Sequence, residues 1–235
     1  MIVFAAIAPH GDVDLAPELR DAMAELRRRC DADVAIVVTP LNVHVEGHFA
    51  VITAARVGEH ETDRELAHAI VAALRADELP VVGVSYGGND PAAGEMPLDW
   101  GAEVPLQFVR APHVVVVAPA RDRPLDEHVR AGAAIARATA DRRCALIASA
   151  DHGHAHDPEG PYGFDPAAAA YDARLLELLA AEPLDFRSLA ELVEPAKADS
   201  LWQLLVLQGA VSGRAELLAY AAPTYYGMAV AVVAS

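Results

Sequence analysis

The sequence predicts a single α/β domain, residues 1–235, with a central mixed, mostly parallel sheet and helices on both faces. Three observations predict this fold. Short apolar runs alternate with segments of helical periodicity along almost all of the 235 residues. The runs are rich in Val, Ile and Ala, which is typical of strands buried on both faces. The chain also lacks any internal repeat, low-complexity segment or linker that would divide it.

The first strand is predicted at Ile2–Ala8, where an apolar run ends at Pro9-His10-Gly11. A surface helix is expected over Pro17–Arg29, which has apolar residues at helical spacing and a proline in its first turn. Val34–Val38 is a second buried strand, closed by Thr39-Pro40. The remaining elements of this half are a strand at His48–Ala54, a helix at Asp63–Ala76, a strand at Val81–Val84 and a loop at 87–94.

The second half continues the alternation. Asp165 is a polar residue directly before a helical segment that opens with Pro166, so we expect it to cap that helix. The predicted elements are a strand at Val114–Ala118, helices at Leu125–Ala140, Pro166–Ala181 and Leu201–Val211, and strands at Cys144–Ala150, Leu217–Ala222 and Met228–Val233.

Composition excludes several classes of function. A formal net charge of −16 disfavours binding to nucleic acid or to anionic membranes. No apolar run reaches the roughly 18 residues that a membrane helix needs, and the apolar N-terminus lacks the positive charges of a signal peptide. The two cysteines, Cys30 and Cys144, are widely spaced and suggest no disulfide framework. We therefore expect a reduced, cytoplasmic setting.

Polar residues gather where the predicted strands end. His10 follows the first strand, His44 follows the second, and His152, His154 and His156 follow Cys144–Ala150. Ligands of open α/β sheets bind outside the carboxyl ends of the strands, so we expect the triple-histidine loop to lie near His10 and His44. Imidazole binds borderline divalent metals and acts as a general base near neutral pH. Any one of these histidines taken alone is usually just a polar loop residue, and it is their joint pattern that indicates a function.

Three patches are similar to those of a known family. They are Pro9-His10-Gly11, then Leu98–Leu106 (LDWGAEVPL), and then Ser149–His154 (SADHGH). The chain resembles the class III extradiol ring-cleavage dioxygenases, a LigB-like fold that includes the Memo-like proteins. The resemblance runs from the first strand to the C-terminus.

The resemblance implies non-haem Fe(II)-dependent extradiol cleavage of a catechol-like or aminophenol-like ring by O2, with another divalent metal as an alternative. The family holds its iron on two histidines and one carboxylate and leaves open positions for the diol and O2. By this resemblance His10 is a metal ligand and His154 is the acid/base residue. His152 is expected to be structural and His156 to face solvent.

The chain departs from the family pattern at two positions. Leu41 occupies the place of the second iron histidine, and leucine cannot bind a metal. His44, three residues on, is the candidate replacement. Trp100 occupies the place of a substrate-contacting histidine. Its ring could stack on the substrate but cannot transfer a proton, and packing under the loop is the alternative.

The carboxylate ligand has two candidates. Asp199 lies closest to the place the resemblance implies, and Glu194 is next. Asp199 is also a good helix N-cap, so both roles stay open. Three further residues are candidates for the pocket: Asn42, Tyr225 and Tyr226.

A different class of function also fits this sequence. Leu41 and Trp100 indicate a non-catalytic member of the same fold that has lost ligands. Such a chain would bind a related subunit, or a second copy of itself, as a structural partner. A metal-binding protein of the Memo-like kind with other chemistry is the third alternative.

Overall fold

The computed structural model describes residues 1–87, 90 and 93–234. Seven helices are assigned in this part of the chain: α1 Pro17–Arg29, α2 Arg64–Ala76, α3 Trp100–Gln107, α4 Leu125–Ala138, α5 Pro166–Leu179, α6 Ala190–Ala196 and α7 Leu201–Ala210. The strands are β1 Ile2–Ala8, β2 Val34–Val38, β3 Phe49–Ile52, β4 Arg56–Val57, β5 His60–Thr62, β6 Val81–Val84, β7 Glu95–Met96, β8 His113–Ala118, β9 Cys144–Ser149, β10 Ala215–Ala221 and β11 Met228–Val233. Two 3-10 turns lie at Val13–Leu15 and Phe186–Leu189.

The strands form one mixed sheet, as the sequence predicts. Its centre is four parallel strands in the order β1-β9-β2-β8. The antiparallel pair β11 and β10 flanks β1, and β3 runs antiparallel to β8. The carboxyl ends of the four central strands therefore meet at one edge of the sheet. β6 is parallel to β3 and so runs against the central strands, which means that Ser85 and Tyr86 leave the sheet at the opposite edge.

Helices cover both faces because strand residues alternate between them. On β1, Ala5 and Ile7 belong to one buried apolar cluster, which α2, α4, α5 and α7 cover. Phe4 and Ala6 belong to the other cluster, which α1 and α3 cover. In the described part of the chain, no helix is both long and apolar enough to cross a membrane.

Most predicted boundaries hold to within two residues, and the misses have local reasons. The predicted cap at Asp165 is confirmed, since its side chain accepts a hydrogen bond from the Ala167 N–H. Strands β4, β5 and β7 are two or three residues long and too short to show a period. Helices α3 and α6 contain Pro105 and Pro195, which obscure the helical pattern. Of the predicted loop at 87–94, residues 88, 89, 91 and 92 lie outside the described part.

Candidate functional site

His10, Asp151 and Asp199 meet at the carboxyl edge of the central strands. His10 follows β1 and Asp151 follows the adjacent parallel strand β9, so the fold places them side by side. The His10 backbone N–H donates to Asp151 Oδ1 at 3.1 Å. The His10 Nε2 atom lies 3.5 Å from Asp151 Oδ2 and 3.6 Å from Asp199 Oδ2. Two predicted ligands, His10 and Asp199, are thus brought together from opposite ends of the chain.

Ser149 fixes the orientation of the His10 ring through a hydrogen bond at Nδ1. The Ser149 hydroxyl donates its single hydrogen to the carbonyl of Gly101. It must therefore accept from His10 Nδ1–H, which lies 3.0 Å away. This leaves Nε2 facing the two carboxylates. Burial lowers the pKa of His10, but the nearby carboxylates of Asp151 and Asp199 outweigh burial and raise it to about 9.

Asp199 faces His10 and leaves the cap position of α7 to Ser200, which makes no side-chain cap hydrogen bond. Its Oδ1 atom is buried and has no hydrogen-bond partner. Burial raises the pKa of Asp199, but its interaction with the nearby His10 outweighs burial and leaves this pKa below its usual value. The alternative carboxylate, Glu194, is 90% exposed and pairs with Lys197 at the surface. Of the two candidates, only Asp199 lines the cavity at this edge of the sheet.

The three alternating histidines point to three different places. His152 is fully buried with Nδ1 3.0 Å from the Ser200 hydroxyl, and burial lowers its pKa to about 4. His154 lines the cavity at this edge of the sheet, and its Nδ1–H donates to the His152 carbonyl at 2.7 Å, which leaves Nε2 as the ring nitrogen available to a ligand. His156 is mostly buried, contrary to the expectation that it faces solvent, because its Nε2 bonds Asp172 Oδ2 at 2.8 Å.

A second chain segment, 225–228, is joined to this loop by backbone hydrogen bonds and holds it in place. The His152 N–H donates to the Gly227 carbonyl at 2.8 Å, and the Gly227 N–H donates to the Gly153 carbonyl at 2.9 Å. The His156 N–H donates to the Tyr225 carbonyl at 3.1 Å. The loop that carries His154 and the turn that carries the two tyrosines are therefore one structural unit.

Asp172, on α5, lies behind this unit and is 1% exposed. Its Oδ1 accepts from the Gly153 N–H at 2.8 Å, and its Oδ2 accepts from the Tyr220 hydroxyl at 2.7 Å as well as from His156. A Cβ on Gly227 would lie 1.9 Å from Asp172 Oδ2, so only glycine allows this close approach.

These groups surround a cavity of about 390 Å³. Its walls are aromatic on one side: the His154 and Tyr226 rings lie 5.8 Å apart in a stacked arrangement, and the Tyr225 and Tyr226 rings lie 4.8 Å apart. Trp100 and Tyr162 are more than half exposed and line the opening. The lining residues are His10, Gly11, Asp12, Leu41, Trp100, Asp151, His154, Tyr162, Asp199, Tyr225 and Tyr226.

Besides Glu194, two sequence-predicted residues do not reach the cavity. His44 is exposed and does not line it, whereas Leu41 does. Asn42 instead supports the turn before α3, where its Oδ1 accepts from the Asp99 N–H at 2.9 Å. Within the described ranges, no group of three or more His, Cys, Asp or Glu side chains is arranged to hold a metal ion.

Asp151, Ser149 and Tyr162 are among the site residues that were not predicted from the sequence. Asp151 and Ser149 lie inside the SADHGH patch, so their position directly after a buried strand was a usable signal. Tyr162 reaches the opening from a long loop, and nothing in its local sequence indicates this contact.

Comparisons with known proteins agree with this architecture. The family model described as the catalytic LigB subunit of aromatic ring-opening dioxygenase matches residues 32–233. A solved structure, of the uncharacterized protein JW3007 from Escherichia coli K12, is similar with a TM-score of 0.70 at 15% identity. That similarity covers 98% of this chain and 99% of the other, and it concerns the fold alone. Comparison with curated proteins gives no match.

Proposed function

The chain belongs to the family of the catalytic LigB subunit of aromatic ring-opening dioxygenases, and on that premise we propose that it cleaves a catechol-like or aminophenol-like ring. The proposed reaction is extradiol cleavage by O2 with non-haem Fe(II). One observation supports this most: His10 Nε2, the Asp199 carboxylate and the free nitrogen of His154 line a single cavity with aromatic walls.

The residues present fit a divalent cation with two protein ligands. His10 directs Nε2 away from Ser149, and Asp199 has a buried oxygen without a partner. An unsatisfied buried carboxylate oxygen is costly, and a cation would satisfy it. One imidazole and one carboxylate are two of the three ligands of the two-histidine, one-carboxylate sites that bind non-haem Fe(II), and Leu41 adds no third donor. When bound there, Fe(II) would supply a Lewis-acid centre for the diol and O2.

The remaining chemistry belongs to side chains of this chain. His154 would take the proton of a ring hydroxyl on Nε2, since its Nδ1–H is committed to the His152 carbonyl. The Tyr225 and Tyr226 rings would stack against the substrate ring. Burial raises the pKa of Tyr226, so its hydroxyl stays protonated at neutral pH and accepts from the Asp12 N–H. Trp100 would cover the opening and exclude water.

A second candidate function is that of a non-catalytic subunit. Two placements favour it: Leu41 lines the cavity where the family has a metal-binding histidine, and His44 is exposed outside it. In that case the cavity would bind an aromatic ring without turnover. The chain would then act with a related subunit or a second copy of itself.

One experiment separates the two candidates. The protein is purified anaerobically and reconstituted with Fe(II), and iron content and catechol-dependent O2 uptake are measured. If the chain is the dioxygenase, wild type holds about one iron per chain with turnover, and His10→Ala loses both. His44→Ala serves as the control and retains both, because His44 lies outside the cavity.

A Leu41→His variant restores the family's second imidazole and completes the test. Iron binding and turnover only in this variant would support the non-catalytic subunit and contradict the dioxygenase proposal for the natural chain.

A further inference from the structure

A second cavity, of about 460 Å³, adjoins the first. The two cavities share His10, Gly11, Asp12 and Trp100 among their lining residues. The boundary between them is therefore the backbone at Gly11-Asp12 and the side chain of Trp100, which is 58% exposed. The two cavities are therefore neighbours, and a ligand that spanned both would lie against this indole.

One wall of the second cavity is an apolar face of α3 and its C-terminal residue. Trp100, Val104 and Phe108 are spaced four residues apart, so they lie on one side of the helix. Val13 lines the cavity from the 3-10 turn after β1. This wall suits a flat apolar group, because an apolar ring packed against the side chains of Val13, Val104 and Phe108 would leave none of their atoms without a hydrogen-bond partner.

The other residues that line this cavity include the charged side chains of Asp12, Asp14 and Arg20, which together are predominantly acidic. Asp12 and Asp14 are exposed carboxylates, and the guanidinium of Arg20 lies 3.8 Å from Asp14. With two carboxylates against one guanidinium, an anionic group entering this cavity would meet net repulsion. The net charge of −16 on the whole chain adds to it.

We infer that the substrate is a catechol-type diol that carries a second, uncharged ring. This inference rests on the proposed function and specifies its substrate class. The diol ring lies beside His154 in the first cavity, and the second ring lies against Trp100, Val104 and Phe108. Each cavity lies within the size range of ligand sites, roughly 300–1,000 Å³, and a single-ring diol would leave the second cavity empty.

Anaerobic calorimetric titration of the full chain with three diols tests this inference. The probes are catechol, 4-phenylcatechol and 4-(3,4-dihydroxyphenyl)benzoate, the last of which adds a carboxylate to the second ring. We expect 4-phenylcatechol to bind about 10-fold tighter than catechol, because burial of the second ring outweighs the cost of ordering it. The carboxylated diol should bind more weakly than 4-phenylcatechol.

Val104 is the residue to change, because it lines only the second cavity. Val104→Phe extends a ring into that cavity from α3, where the second ring of the ligand would lie, and should weaken 4-phenylcatechol towards the affinity of catechol while catechol binding stays unchanged. Val104→Ala is the matched control and should leave 4-phenylcatechol tighter than catechol. If Val104→Phe does not fold by circular dichroism, Gln107→Trp, at an exposed position in the same cavity, replaces it.

Equal affinity of wild type for catechol and 4-phenylcatechol would overturn the inference and leave the proposed ring site intact. The same conclusion would follow if Val104→Phe weakened both ligands alike. If none of the three diols bound, the proposed function would fail together with the inference.

Discussion

Replacing Asp172 with alanine should destabilise the protein far more than an ordinary surface substitution. Its carboxylate accepts hydrogen bonds from the Gly153 N–H, His156 and the Tyr220 hydroxyl. The Gly153 amide is buried and would be left without a partner, at about 1–3 kcal/mol. His156 and Tyr220 are partly exposed, so water could replace their lost bonds in part, at about 0.5–1.5 kcal/mol each. We expect Asp172→Ala to lower the free energy of unfolding by about 4 kcal/mol.

Asp165 provides the matched control on the same helix. It caps the N-terminus of α5 through one hydrogen bond to the Ala167 N–H. Asp165→Ala should therefore cost about 1 kcal/mol. Both values come from urea unfolding followed by circular dichroism. If the two substitutions cost the same within about 1 kcal/mol, the argument that Asp172 anchors the histidine loop is wrong.

The Asp172→Asn substitution keeps the shape of the side chain and removes its negative charge. The amide oxygen can still accept from the Gly153 N–H, and the amide NH2 can donate to Tyr220 and to the other tautomer of His156. We expect this variant to cost less than about 1.5 kcal/mol, since every partner keeps a hydrogen bond. A loss as large as that of Asp172→Ala would show that the negative charge itself is required.

Three further predictions concern the site. His154→Gln should lower catechol turnover by about 100-fold or more while calorimetric catechol affinity stays within about threefold; unchanged O2 uptake would exclude His154 as the base. Because the pKa of His10 is raised from 6.5 to about 9, the stability it contributes is complete below pH 6.5 and is lost as the pH rises to 9. Over this pH range, urea unfolding of metal-free wild type should show a loss in the free energy of unfolding on the order of 3 kcal/mol, and His10→Gln should show no such loss. Parallel pH profiles of the two proteins would contradict this prediction. Gly11→Ala would put a Cβ 2.3 Å from the Tyr226 ring and should cost about 1–3 kcal/mol and weaken ring binding; a variant as stable as wild type would show that the ring moves freely.

The fold was predictable because its signals are local. The elements with the predicted bounds are β1, β2, β6, β11 and α1, and each is a short apolar run or a periodic segment that can be recognised from adjacent residues alone. α3 was missed because Gly101 and Pro105 lie inside it, and it is stabilised by an Asp99 cap and by packing against the sheet. Local sequence preference is too weak to outweigh such tertiary contacts.

The site was predictable to the extent that it lies at strand ends. His10, His154 and Asp199 could be named because they follow or precede recognisable elements in motifs similar to those of a family. His44 was the candidate substitute for Leu41, yet the loop after β2 leaves it exposed. Whether three residues of loop bend inward depends on what packs against them, and no spacing in the sequence contains that information.

By itself, the sequence determined the α/β class, the buried central strands and the identity of the imidazoles and carboxylates at their ends, because these depend on composition and on short-range periodicity. Only the tertiary structure decided which way each histidine of the loop points. Hydrogen bonds from distant residues fix the rings of His152 and His156, through Ser200 and Asp172, and the 225–228 segment holds the loop that carries His154. Such partners lie 16 to 75 positions away along the chain. Their contacts exist only once the sheet has brought the segments together, so no local pattern encodes them.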